Sequence, residues 1–211
     1  MTMLAQWLGL AALAAAPAWS AGDGFVSLFN GRDLAGWQGA EGLWWVEKGV
    51  LVGSSDSRRI VKNTFLIHER PVSDFVLQFE VKLRNGNSGV QFRSTRLDDF
   101  VVTGYQADLS DAGDRSAWGN LYEERGRGRG LMRTPDEGWR KAEPVLRKGD
   151  WNRYEVHAEG SRIRLRLNGV LTIDTTDSAA RKGVLALQLH AGEPMRVEFR
   201  NLRIRDLKGA R

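Results

Sequence analysis

Two carboxylates, a histidine and several amides stand at alternate positions of short apolar segments, and strand parity decides which of them can meet. Residues two apart in a β-strand share a face. In SGVQFRS (88–94), Val90 and Phe92 take the core side, which sends Gln91 and Arg93 to the other. In YQADL (105–109), Tyr105, Ala107 and Leu109 face the core, while Gln106 and Asp108 face away. In NLYEE (120–124), Leu121 is the core residue and Tyr122 and Glu124 lie opposite; in ALQLH (186–190), Gln188 and His190 do so. Side by side, these strands would form one polar floor. Carboxylates and amides suit sugar hydroxyls, and Tyr122, with Trp118 at the loop edge, suits the C–H faces of a ring. A histidine oriented by a carboxylate is a base near neutral pH. Asp108 with Glu124 is also the pair a two-carboxylate glycosidase needs. The same alternation equally describes the ordinary solvent face of an antiparallel sheet.

The elements that must position these groups read as short strands punctuated by Gly, Asn and Asp. LWWVEKGVLVG (43–53) makes a hairpin about Lys48–Gly49. DFVLQFEVKL (74–83) alternates, with Phe75, Leu77, Phe79, Val81 and Leu83 on one face. RIRLRLNGVLTID (162–174) turns at Asn168–Gly169, a tight-hairpin pair. VLALQLH (184–190) is a strand. MRVEFRNLRIRDL (195–207) is another, and its parity slips near Asn201 as a β-bulge would make it. No window from 25 to 207 sustains a helical period, and there is no internal repeat. The expected fold is an all-β antiparallel sandwich.

The 211 residues suit one domain, 21–211, preceded by a segment, 1–20, that reads as a secretory signal. Leu4 to Ala16 is apolar, Pro17 follows, and Ala18 and Ser20 are the small residues before a cut near Ala21. The run is short for a membrane span. Export to the periplasm or the exterior is therefore expected, without stable membrane insertion after cleavage. The chain has no cysteine, which closes disulfides, thiolate metal sites and lipoprotein attachment. The net charge of +5 is unchanged by removal of 1–20. The arginines look scattered over strands and loops, and RGRGRG (125–130) is one short copy without interleaved aromatics, so no nucleic-acid partner is expected. That loop reads as a rim of the floor. H-E-x-x-H, Walker, G-x-S-x-G and Rossmann patterns are absent.

Nine segments in order carry a resemblance: SLFNGRDLAGW, the Trp45–Gly53 hairpin, NTFLI, NSGVQFRS, GYQADL, WGNLYEE, WNRYEV, LNG and LQLHAG. Together they resemble the 3-keto-disaccharide hydrolase domain family across nearly the whole chain after the signal. The resemblance implies a concanavalin A-like jelly-roll sandwich of two antiparallel sheets with a concave binding face. It also implies export and a small carbohydrate substrate, a glycoside already oxidised at C3. This sequence has Glu123 where that family often has Asp after its L-Y motif. On such a substrate the carbonyl acidifies the C2 proton; a base removes it and the C1 group leaves with the help of an acid. The outcome is hydrolysis if water adds to the enone and lyase chemistry if it does not. The expected roles are His190 or Asp108 as base, Glu124 as acid, Arg93 and Tyr122 at the enolate oxygen, and Gln91, Gln106 and Gln188 on hydroxyls. No cofactor is expected, although a divalent metal at the carbonyl is compatible with this chemistry. An ordinary two-carboxylate glycosidase and a non-catalytic carbohydrate-binding module are the alternatives.

Overall fold

The computed structural model describes residues 24–111, 116–127 and 137–207. Segment 1–20 and the tip of the Arg-Gly loop lie outside the described residues. The strands are β1 (Val26–Ser27), β2 (Trp37–Gln38), β3 (Trp44–Glu47), β4 (Val50–Ser54), β5 (Thr64–His68), β6 (Phe75–Asn85), β7 (Asn87–Arg96) and β8 (Val102–Ser110). They continue with β9 (Leu121–Glu124), β10 (Asn152–Glu159), β11 (Arg162–Leu167), β12 (Val170–Thr176), β13 (Val184–Leu189) and β14 (Arg196–Asp206). One six-residue helix, α1 (Glu137–Ala142), interrupts them.

All named pairings are antiparallel. The larger sheet runs β12-β11-β10-β6-β14-β4-β3, with β1 added to β14; the smaller runs β2-β5-β13-β7-β8-β9. Between them lies the core that parity demands. Phe75, Leu77, Phe79, Val81 and Leu83 of β6 meet Val90, Phe92, Tyr105, Ala107 and Leu109 of β7 and β8. Leu185, Leu187 and Leu189 of β13 complete it from the smaller sheet. Each such buried Leu, Val or Phe contributes roughly 1.5–3 kcal/mol.

The expected turns form. Lys48 and Gly49 take φ of 50° and 79°, and Asn168 and Gly169 take 48° and 89°. Two positive φ values suit a hairpin whose twist matches its strands. The bulge in β14 is also present. The ladder with β6 shifts between Arg200 and Arg203, and Asn201 has φ 53°. A second bulge, which the sequence pattern did not suggest, shifts the β7–β8 ladder between Phe92 and Thr95 with Arg93 at φ 50°.

Candidate functional site

The inner face of the smaller sheet's curl, which is turned away from the core between the two sheets, collects most of the predicted groups. Cross-strand partners share a face, so the pairs Gln91↔Gln106, Gly89↔Asp108, Gln106↔Tyr122 and Gly104↔Glu124 put these side chains on one side of β7, β8 and β9. Gln188 joins them from β13, two strands removed from β8. Its amide nonetheless donates to Glu124 Oε2 on β9 at 3.3 Å. Flat strands about 4.8 Å apart would hold β13 and β9 roughly 14 Å from each other. The contact therefore requires the sheet to curl inward.

The hydrogen bonds form a directed chain. Ser94 Oγ donates to Gln91 Oε1 at 2.7 Å, and Gln91 Nε2 donates to Gln106 Oε1 at 2.7 Å. Gln106 Nε2 divides its two hydrogens between Asp108 Oδ1 at 2.9 Å and Gln188 Oε1 at 3.2 Å. Gln188 then donates to Glu124. Every amide passes its N–H toward a carboxylate, and the chain ends on Asp108 and Glu124. Gln91, Gln106 and Gln188 are at most 1% exposed. Buried amides that are engaged in this way fix the orientation of the carboxylates. Their expected role on sugar hydroxyls is thus not the one their geometry displays. Gly89 makes room for the chain: a Cβ there would lie 2.2 Å from Gln106 Cδ.

Asn63 belongs to the same network, and parity reasoning over the four polar strands passed it by. Its Nδ2 donates to Glu124 Oε1 at 3.1 Å, and its Oδ1 accepts the Ala191 N–H at 3.0 Å. It sits one residue before β5, at the parity of Phe65 and Ile67. Those two, with Val102 and Ala186, form a second buried apolar cluster. The pairs Phe65↔Gln188 and Ile67↔Ala186 place it on the same inner face.

His190 is half-buried just past β13. Its Nδ1–H donates to the Ala191 carbonyl at 2.6 Å, so Nε2 is the ring nitrogen not engaged in that bond. Its link to the carboxylates runs through the backbone: Ala191 N–H to Asn63, and Asn63 to Glu124.

Two predicted residues lie elsewhere. Arg93 leaves the inner face because the bulge at its own position breaks the alternation. Its guanidinium is buried at one end of the sandwich. It donates to Ser73 O at 2.7 Å, Gly160 O at 2.7 Å and Asp74 Oδ1 at 2.8 Å. Trp118 is 1% exposed in the main core, not at a loop edge. Its Nε1–H donates to Asp111 at 3.0 Å, and burial pushes the Asp111 carboxyl up despite that bond. Of the Arg-Gly loop, residues 125–127 are described, and Arg127 makes its ion pairs. It clamps Glu123 at 2.7 Å and Asp177 at 2.8 Å, joining the end of β9 to the segment after β12. Among the described residues, no three His, Asp or Glu side chains are grouped to hold a metal ion.

The fold is shared with known proteins. A candidate glycosyl hydrolase from Parabacteroides distasonis superposes with TM-score 0.65 at 24% identity, covering 88% of this chain and 95% of that one. The carbohydrate-binding module CBM66 from Bacillus subtilis gives 0.58 at 20% identity, over 81% and 96%. A Bacillus subtilis protein of galectin-like fold gives 0.56 at 12% identity, over 84% and 92%. At these identities the likeness is one of fold. No curated protein matches the chain. The sequence pattern of one domain family matches residues 24–205. The chain belongs to the 3-keto-alpha-glucoside-1,2-lyase-like domain family and is, on that footing, a carbohydrate-active protein.

Proposed function

We propose that the chain cleaves 3-keto-glycosides by C2 proton abstraction and elimination of the C1 group, after export to the periplasm or the exterior. The observation that carries this reading is the amide chain ending on Asp108 and Glu124. It holds two carboxylates on one curled face in a chain whose family name denotes 1,2-lyase chemistry on 3-keto-glucosides. Asp108 takes the C2 proton, and the electron pair moves to the C3 oxygen as an enolate. Tyr122, on the same face, stabilises that oxygen. Glu124, held by Asn63 and Gln188, protonates the departing C1 oxygen as the C1–O bond breaks. Water addition to the enone makes the net reaction hydrolysis. His190 Nε2 is the competing base.

The deciding experiment offers the purified protein a 3-keto-glucoside and its unoxidised parent in deuterated water. Turnover of the keto form alone, with deuterium entering at C2, supports the elimination. Turnover of the parent identifies an ordinary glycosidase, and binding without turnover of either leaves a binding module. Asp108→Asn and Glu124→Gln should each lower turnover by about 10²–10⁴. Loss of C2 exchange in Asp108→Asn but not in His190→Ala assigns the base to Asp108, and the reverse assigns it to His190. N-terminal sequencing of the exported protein tests the cut near Ala21.

A further inference from the structure

The arginines that look scattered in the sequence are gathered by register onto the outward face of the larger sheet. Three rows cross β14, β6, β10 and β11. The first pairs Arg200↔Glu80↔Arg153. The second pairs Arg203↔Gln78↔Glu155↔Arg166, and the third Arg205↔Val76↔His157↔Arg164. Each row carries two arginines. Six guanidiniums therefore face three carboxylates, Glu80, Glu155 and Asp174, among the described residues of these rows. The third row continues from Arg164 to Asp174 of β12, which Arg162 also engages at 2.7 Å. The excess of positive charge is a property of the face, whatever local bonds each side chain makes.

The bulge at Asn201 opens this face. Beside it lies a cleft of about 450 Å³, whose lining includes Arg153, Arg203, Asn201, Ser27 and Phe25. Glu80 forms its floor, 7% exposed, and already holds Arg153 at 3.2 Å and Arg200 at 2.6 Å. One carboxylate between two guanidiniums leaves the cleft net positive. The aromatic faces nearby are covered by cations. Arg203 and Arg205 lie 4.5 and 4.8 Å over Phe25, and Arg200 lies 4.0 Å over Trp151. Single-stranded nucleic acid binds by stacking bases on open aromatic faces, and these are occupied. A ligand that needs only anion contacts and hydroxyl partners fits better.

We propose that this outward face docks an anionic polysaccharide, with an acidic group of one sugar seated in the Asn201 cleft between Arg153 and Arg203. The carbohydrate is held by charge and hydrogen bonds, remote in the fold from the inner face of the smaller sheet, and the proposal stands independently of the reaction assigned there.

The test measures binding of the purified chain to polygalacturonate, dextran sulfate, neutral dextran and single-stranded DNA. Binding to either acidic glycan but not to dextran is expected, and the tighter of the two identifies carboxylate or sulfate as the anion. The affinity should fall as salt rises, since exposed charges are screened over about 8 Å at physiological ionic strength. The double variant Arg164→Gln/Arg203→Gln should weaken binding by about tenfold or more. The charge-matched Arg58→Gln/Arg59→Gln, on the exposed loop after β4, should change it less than about twofold. On the unmodified protein, the glycan should shield Arg153, Arg164 and Arg203 from phenylglyoxal, a readout that needs no variant to fold. Equal weakening by both doubles, absence of shielding, or binding to neither acidic glycan overturns the proposal. DNA binding as tight as the glycan's, lost in the same double variant, overturns the choice of partner.

Discussion

Asp177 shows how one carboxylate ties a core residue to the loop after β9. It accepts hydrogen bonds from Arg127 and from the buried Tyr105 hydroxyl. The Arg127 guanidinium, followed by the Tyr105 and Ala179 donors, outweighs burial and lowers the Asp177 carboxyl to about 2. A depressed folded-state pKa means the unfolded chain binds the proton more readily. The stabilisation is therefore full above the unfolded value near 3.8 and is lost as pH falls through about 2. A shift of this size corresponds to about 2 kcal/mol. Asp177→Asn should cost about that much at pH 6 in denaturant unfolding, and the gap should narrow steadily below pH 3.8. A gap that stays constant between pH 6 and pH 3 would refute the account. Parity had assigned Tyr105 to the core, but nothing in the sequence pairs it with a carboxylate 72 positions away.

At the scale of strands, alternation located the site where the backbone stayed regular and lost it where it did not. Gln91, Gln106, Asp108, Tyr122, Glu124 and Gln188 share the inner face because their strands keep a period of two. Arg93 has the same parity as Gln91, but a left-handed residue within the strand shifts the register, and bulges of this kind leave no mark on the apolar pattern. Asn63 was missed for a different reason. β5 reads TFLIH and is buried at all five positions, so no polar alternation marks which face is which. Trp118 lies in a turn, where parity has no meaning, and the six residues of α1 are too few to show a helical period. The displacement of Arg93 has a measurable consequence. Its guanidinium is 0% exposed and paired with Asp74 at 2.8 Å. Arg93→Ala would leave that carboxylate and three backbone carbonyls, those of Ser73, Gly160 and Ala180, short of a donor, at a cost of roughly 3–5 kcal/mol. Denaturant unfolding should register this loss, while turnover per folded molecule stays within about threefold of the parent chain. A well-folded Arg93→Ala protein without activity would return Arg93 to the reacting centre.

For the whole molecule, the order of strands in the chain differs from their order in the sheets, and the last strand holds a central place. β14 lies between β6 on one edge and β4, then β1, on the other. The pair Val26↔Ile204 brings the beginning and end of the described chain into one ladder. Such distant pairings slow folding, because loop closure precedes the contacts that offset it. They also make the sandwich all-or-none. β14 contributes Val197, Phe199, Leu202 and Ile204, each at most 2% exposed. At roughly 1.5–3 kcal/mol apiece, these four contribute on the order of the entire 5–15 kcal/mol by which a domain is usually stable. Their removal also leaves the backbone groups of β6 and β4 unpaired in the middle of a sheet. A chain ended at Pro194 should therefore show no cooperative thermal transition by far-ultraviolet circular dichroism or tryptophan fluorescence. The full chain should give one transition, coincident by both probes. Cooperative unfolding of the shortened chain would mean that β6 and β4 can close on each other without β14, and that the larger sheet is assembled from separable halves.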